Sequence, residues 1–386
     1  MTTGPRPEYD LRAWRERIPI LSSLVPMSNC SQTPQTDRTR EAAERYLESW
    51  NRDGMDWERW TAEVEGARAA FARLIGAEPH EISITSSVSA AVAGLGSALD
   101  VSSPRNKVVV SGAEFPTVVH VWLARERLGA RIGRVPVRDG VVRLEDYDAE
   151  IDEETLLVSA THAYYQNGFV QDVGAIASLA HERGALAFVD AYQTLGTRPV
   201  DVKALGVDAL ASGCLKFLMG VPGIAFLYVR EALAERLRPA LTGWFGQAEE
   251  AMFDPSRLCW APGARRFDTG TPPLLNAYIA RAGIEIIEEV GPERIRRWIE
   301  VLSGRLLEGG EARGLALLGP REPGRRNPTS AFLVPGDARA VEAEMRRRGI
   351  IASARGPAVR LAPHFFTSLE DVDRSLDALA GAVDAA

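Results

Sequence analysis

Short apolar runs and longer amphipathic stretches alternate along most of the chain. Lys107–Ser111 (KVVVS), Leu156–Ala160, Leu186–Asp190 (LAFVD) and Ile224–Val229 are near-continuous apolar runs of strand length, as expected of strands buried on both faces. Between them, Val118–Leu128 and Val173–Arg183 carry helical spacing, so the pattern predicts a mainly parallel sheet with helices on both sides. Residues 36–74 read as helical, with Trp50, Trp57 and Trp60 expected to pack. Farther on, Ala277–Glu289 and Pro292–Glu308 are helical, and Gly319–Pro328 is a loop dense in Pro, Gly and Arg. Short strands are predicted at Ser330–Val334, Ile350–Ala352 and Val359–Leu361, with a last helix capped by Ser368. The expected organisation is an α/β protein. A large domain spans 26–255, a smaller α+β domain spans 256–386, and residues 1–25 join the smaller one.

Composition narrows the function classes. The 386 residues are 46% hydrophobic and 25% charged, as in ordinary globular chains. A net charge of −7, with a short Arg346–Arg348 run set among glutamates, argues against nucleic-acid binding. Three widely spaced cysteines, Cys30, Cys214 and Cys259, form neither a disulfide framework nor a zinc site, and suit a reducing cytoplasm. No run approaches the length of a membrane-spanning helix, and the first ten residues lack the apolar core of a signal peptide.

The chemistry-bearing residues cluster. Asp190 ends an apolar strand, Gln193 follows it, and Lys216 lies 26 residues beyond Asp190 in the apolar, Gly-flanked stretch Ala211–Gly220 (ASGCLKFLMG). A carboxylate at the carboxyl end of a parallel strand faces the crevice where such sheets bind ligands. A lysine in an apolar stretch is costly unless paired or chemically used. Pyridoxal phosphate (PLP) chemistry needs a lysine amine and a carboxylate against the pyridine nitrogen. On spacing alone, a turn-capping Asp and a snorkelling surface Lys fit equally. Ser86, Ser87 and Ser89 before a helix offer backbone N–H groups to an anion, or simply cap the helix.

Phe188–Lys216 followed by Gly220–Tyr228 (GVPGIAFLY) resembles the class V aminotransferase branch of fold type I PLP enzymes, and within it kynureninase most closely. The likeness runs over roughly residues 25–380. It implies that Lys216 is the Schiff-base lysine, that Asp190 meets the pyridine nitrogen, and that Gln193 lies near the ring hydroxyl. It further implies that Phe115 (in EFPT) stacks on the ring and that Val88 and Ser89 (in ITSSVSAA) bind the phosphate. Ser159 (in VSATHAY) and Ser212 would stand beside the cofactor, while Trp244 (in GWFGQ) and Thr271 (in FDTGTPPLL) would reach a site shared across a homodimer. Arg360 (in AVRLAP) would clamp the substrate α-carboxylate, with Asn29 (in SNCS) and His162 as further pocket residues. By themselves, Arg360 also suits a surface strand and His162 an ordinary buried polar role.

The departures bear on the reaction. Kynureninases carry Tyr before the lysine and Asn at the Thr271 position, and supply a histidine from the region corresponding to residues 40–75. This chain has Leu215, Thr271 and no histidine there, which argues against kynurenine as substrate. Cysteine desulfurases use a mobile cysteine far after the lysine, and no cysteine follows Cys259. The expectation is a PLP enzyme acting on an α-amino acid through a Lys216 Schiff base, a Cβ–S or Cβ–C lyase, with amino-group transfer or epimerisation as alternatives. A dinucleotide-binding oxidoreductase is disfavoured because Gly94-Leu95-Gly96 lacks a third glycine and a preceding strand. A non-catalytic module with the same fold is disfavoured because Lys216, Asp190 and Arg360 are all present.

Overall fold

The computed structural model describes residues 5–249 and 253–385. In chain order the strands are β1 (Val25–Pro26), β2 (Ile82–Thr85), β3 (Lys107–Ser111), β4 (Arg131–Val135), β5 (Thr155–Thr161), β6 (Leu186–Asp190) and β7 (Ala209–Gly213). They continue as β8 (Ala225–Val229), β9 (Ala316–Leu318), β10 (Ser330–Leu333), β11 (Ile350–Ile351), β12 (Ser353–Arg355) and β13 (Ala358–Leu361). Seven of them form one sheet in the order β2-β8-β7-β6-β5-β3-β4. The pairs among β3, β4, β5, β6 and β7 are parallel, and β8 runs antiparallel to both its neighbours. This is the doubly covered sheet that the apolar runs predict.

The strands are apolar on both faces because both are covered. In β6, Ala187 and Val189 join one core cluster, while Phe188 joins the other with Trp122, whose ring meets it edge-on at 6.3 Å. On the first face, Phe71 of helix Trp57–Leu74 stacks on Phe226 of β8 at 4.3 Å. Helix Leu274–Val290 packs here too, through Ala277, Ala280, Ile284 and Ile287. It therefore lies with the large sheet rather than with the C-terminal elements that follow it in sequence.

Those C-terminal elements form a third cluster around the antiparallel sheet β12-β13-β10-β9. Helices Pro292–Glu311, Ala338–Arg347 and Leu369–Val383 cover it. Ser368 caps the last helix through the Asp371 N–H, as its position predicts. Val25 and Met27 join the same cluster, and β1 pairs in parallel with β11. The chain then passes from this unit toward the large sheet through residues 28–33.

The predicted helical region 36–74 is two helices, Asp37–Asp53 and Trp57–Leu74. Gly54, at φ 70°, ends the first with its N–H on the Trp50 carbonyl. This break changes which side chains share a face. Trp60 is buried, its Nε1 donating to Ser49 Oγ at 2.9 Å, but Trp50 and Trp57 are 57% and 38% exposed, contrary to the expectation that all three pack. Strands β2, β4 and β7 were not anticipated. The β7 segment is rich in Ala, Gly and Ser, and β4 alternates charged and apolar residues at the sheet edge. No helix among the described residues is long and apolar enough to cross a membrane.

Candidate active site

Parallel strands deliver their carboxyl ends to one edge of the sheet. Here that edge holds Thr161 at the end of β5, Asp190 at the end of β6, Lys216 in the turn after β7 and Phe115 beyond β3. Because β8 runs the other way, Pro222, Gly223 and Ile224 enter it from the same edge. These residues line a cavity of about 300 Å³, closed on one side by Ser86, Ser87, Val88 and Ser89 at the start of helix Val88–Ser97. Ser87 is the N-cap, accepting from the Ala90 N–H at 3.1 Å, and Ser89 Oγ lies 2.6 Å from Thr117 Oγ1. A helix start aimed into a cavity presents unpaired N–H groups suited to an anion.

The sequence has three lysines. Lys107 and Lys203 are ion-paired to carboxylates. Lys216 is different: its Nζ stands 4.0 Å from the Tyr192 ring centre and 5.5 Å from that of Phe115. Burial pushes its pKa down to about 8, while the Asp190 charge pulls the other way. Asp190 is itself fully buried and accepts the Tyr192 N–H on Oδ1 at 2.9 Å. Burial raises its pKa, and Lys216 partly offsets the rise.

Several sequence-predicted residues meet at this cavity: Val88, Ser89, Phe115, Asp190, Gln193 and Lys216 all line it. Gln193 donates from Nε2 to the Cys30 carbonyl at 3.0 Å, and its buried Oε1 has no partner. Arg360 is buried behind the wall. It donates from Nη1 to the Tyr165 carbonyl at 2.6 Å and from Nη2 to Ser31 Oγ at 3.1 Å and Ser353 Oγ at 2.9 Å. Its Nε is unpartnered, and no carboxylate pairs with it among the described residues.

Others are not brought to the cavity of their own chain. Ser159 lies beneath it and donates to Glu114 Oε2 at 2.7 Å. Ser212 turns into the core and bonds the Gly213 carbonyl, because strand alternation sends its side chain away from the edge. His162 also faces inward, between the cavity-lining Thr161 and Ala163. Burial pushes its pKa down to about 3, so it is a neutral core histidine. Asn29 is spent on the Pro26 and Ala362 carbonyls, at 3.0 and 2.7 Å, leaving only Oδ1 unpartnered. Trp244 and Thr271 stand on the surface, Trp244 in a separate depression with Phe253.

A family model, aminotransferase class-V, matches residues 29–374. The chain belongs to the class-V aminotransferase family. It is 36% identical over 372 residues to YcbU, an uncharacterized aminotransferase of Bacillus subtilis, covering 95% of this chain and 96% of that one. It is 31% identical to the kynureninase of Pseudomonas fluorescens over 324 residues, 81% of this chain and 75% of that one. Among solved structures, a cysteine desulfurase of Thermococcus onnurineus superposes with a TM-score of 0.89 at 25% identity, with full coverage of both chains. The cystine C–S lyase C-DES superposes at 0.86 with 20% identity, over 94% of this chain and 99% of that one, which bears on the fold. Members of this family are PLP-dependent enzymes, and PLP is the cofactor of this chain.

The residues present fit that cofactor. The cavity holds an amine without a carboxylate partner, a buried carboxylate opposite, an orphaned Gln193 Oε1, and an anion-ready helix start. Three neighbours escaped the sequence reading. Glu114, beside the predicted Phe115, is buried and holds Ser111 N–H and Ser159; burial raises its pKa to about 7. Thr33 binds the Lys216 carbonyl at 2.8 Å, so residues 28–33 strap the site. Tyr192 sits in plain view between Asp190 and Gln193.

Proposed function

We propose that this enzyme cleaves a bond at Cβ of an α-amino acid, Cβ–S or Cβ–C, as a PLP-dependent lyase. The observation that carries the reading is the disposition of Lys216, free of any carboxylate partner, in a cavity with Asp190 on one side and the Ser87–Ser89 helix start on another. Bound PLP supplies the electron sink that weakens bonds at the substrate Cα and Cβ. Asp190 would face its ring nitrogen, Phe115 would cover a ring face, and Ser87, Val88 and Ser89 would hold its phosphate. Lys216, as a free amine, would take and return the proton at Cα. A pKa near 8 suits that work, since both protonation states are populated near neutral pH.

Arg360 would bind the substrate carboxylate. A buried guanidinium held only by neutral oxygens gains most from a bidentate anion. Amino-group transfer is the second reading, favoured by the 36% identity to an aminotransferase-named relative. Trp244 and Thr271 lie exposed, outside the cavity of their own chain, which supports their use by a second subunit in a homodimer. Buried Cys30 and Cys214 and exposed Cys259, all free thiols, suit the cytoplasm.

Single turnover of the PLP-loaded protein with a panel of amino acids tests the choice. Release of pyruvate and ammonia, or of alanine and a fragment, with the PLP spectrum restored supports the lyase. Accumulation of pyridoxamine phosphate with one equivalent of 2-oxo acid replaces it with the transferase. Sedimentation as a monomer at micromolar concentration overturns the shared dimer.

A further inference from the structure

Tyr192 has the nearest aromatic face to Lys216, yet no role so far. Its ring centre is 4.0 Å from Nζ, and its half-buried side chain forms part of the cavity wall. The fit is built into the backbone. A Cβ at Gly213 would overlap the Tyr192 ring and hydroxyl, so a glycine there is what admits the side chain. The hydroxyl lies against the Leu215 backbone, which sets the ring face rather than the oxygen toward Lys216. The other two lysines neutralise their charge on carboxylates, Lys203 with the Tyr228 ring centre also 5.5 Å away, whereas Lys216 has aromatic faces, the nearest at 4.0 Å, and no ion pair among the described residues. A ring quadrupole attracts a desolvated ammonium ion, and tyrosine serves well.

We propose that Tyr192 is a positioning residue whose ring face holds the protonated amine of Lys216 over the cavity whenever that amine is not bonded to the cofactor. The proposal deepens the PLP reading and rests on it for its role in turnover. While substrate occupies the cofactor, the freed amine must stay near Cα and keep a proton available. A face 4.0 Å away does so without the rigid directionality of an ion pair, so the amine swings back unhindered. The charged and titratable groups facing Lys216 are Asp190 from β6, Cys30 from the strap, and Arg360 and Arg355 from the small sheet. Cys214 and Asp190 face Tyr192. Of the groups facing Lys216, Asp190 and Cys30 favour the ammonium, while the two arginines oppose it.

The test is trace acetylation of the full-length, cofactor-stripped chain across pH, read by peptide mass spectrometry at each of the three lysines. Tyr192→Leu is expected to lower the midpoint of Lys216 labelling by about 0.4–1.5 pH units, the equivalent of one cation–π contact. The Lys107 and Lys203 midpoints stay fixed. Tyr192→Phe keeps the face and should stay within about 0.3 units of wild type. Should Tyr192→Leu lose its near-ultraviolet dichroism, Tyr192→Met replaces it in the same comparison. Unchanged Lys216 labelling in the folded ring-less variant overturns the proposal, and so does an equal shift in Tyr192→Phe, which would assign the effect to the hydroxyl. Failure of the PLP reading is separately visible. Borohydride reduction of wild type incubated with pyridoxal phosphate must add a pyridoxyl mass at Lys216, and its absence removes the role in turnover whatever the labelling shows.

Discussion

Asp268 offers a quantitative test of how the segment bearing Thr271 is tied to the sheet. Its Oδ2 accepts from Arg68 Nη2 at 2.8 Å, and its Oδ1 accepts from Ser83 Oγ at 2.7 Å and the Ile84 N–H at 2.9 Å. Both side chains of the ion pair are buried. Asp268→Ala strips the buried guanidinium of this partner and leaves a hydroxyl and a strand N–H unmatched. Breaking a buried pair from one side costs about 3–5 kcal/mol. Arg68 keeps a half-exposed Glu65 at 3.1 Å, which holds the cost within that range despite the extra lost bonds. Unfolding entropy near 2.1 cal/mol/K per residue gives about 0.8 kcal/mol/K for a chain of this length, so Tm falls by about 4–6 °C. Differential scanning calorimetry reads it directly. Pairing Asp268→Leu with Arg68→Met should recover part of the loss, because no guanidinium is then left buried and unpaired, while the Ser83 hydroxyl and the Ile84 N–H stay unmatched. A drop below about 1 °C in Asp268→Ala would show that the buried pair contributes no net stability and would refute the reasoning.

Other outcomes follow from the same geometry. Lys216→Ala should bind no PLP covalently, seen as loss of the visible absorbance and of the pyridoxyl adduct after reduction. The depressed pKa of Lys216 means that between about 8 and the ordinary 10.5 the unfolded chain holds a proton that the folded one has lost. Stability of the cofactor-free protein therefore gains a rising component across that window. Lys216→Met should remove it, with the variant's advantage in denaturation midpoint greatest below pH 8 and gone above 10.5. Arg360→Gln should raise KM for the amino acid by about 10- to 150-fold with a smaller effect on kcat, since the lost bond is made to a carboxylate before and during reaction. Gly213→Ala should push the Tyr192 ring aside, costing about 1–3 kcal/mol by overpacking and reproducing the Tyr192→Leu labelling shift; wild-type stability in that variant would contradict the predicted overlap.

Much of this protein was legible in one dimension. The runs at 107–111 and 186–190 are apolar on both faces, and such strands survive only between two helical layers, so the doubly covered sheet follows from them. Asp190 and Lys216 were conspicuous because a carboxylate and an amine in apolar surroundings need a reason to be there. The scarcity of lysine, three in 386 residues, is a signal of the same kind that went unused. Tertiary structure decided what local pattern does not encode. Whether Ser159, Ser212 or His162 faces the cavity depends on which side of a pleated strand meets the sheet edge, and a one-residue difference reverses it. Tyr192 reads as any half-buried aromatic until Gly213, twenty-one positions later, makes room for its ring over Lys216. Arg360, on a strand of the small sheet, reaches Ser31 across 329 positions because β1 and β11 pair and carry the strap to the site. The sequence by itself determined the kinds of element and the chemistry on offer, since periodicity and side-chain type are local. The partners and facing directions were left to packing, because contacts between distant residues depend on the whole set of elements closing together.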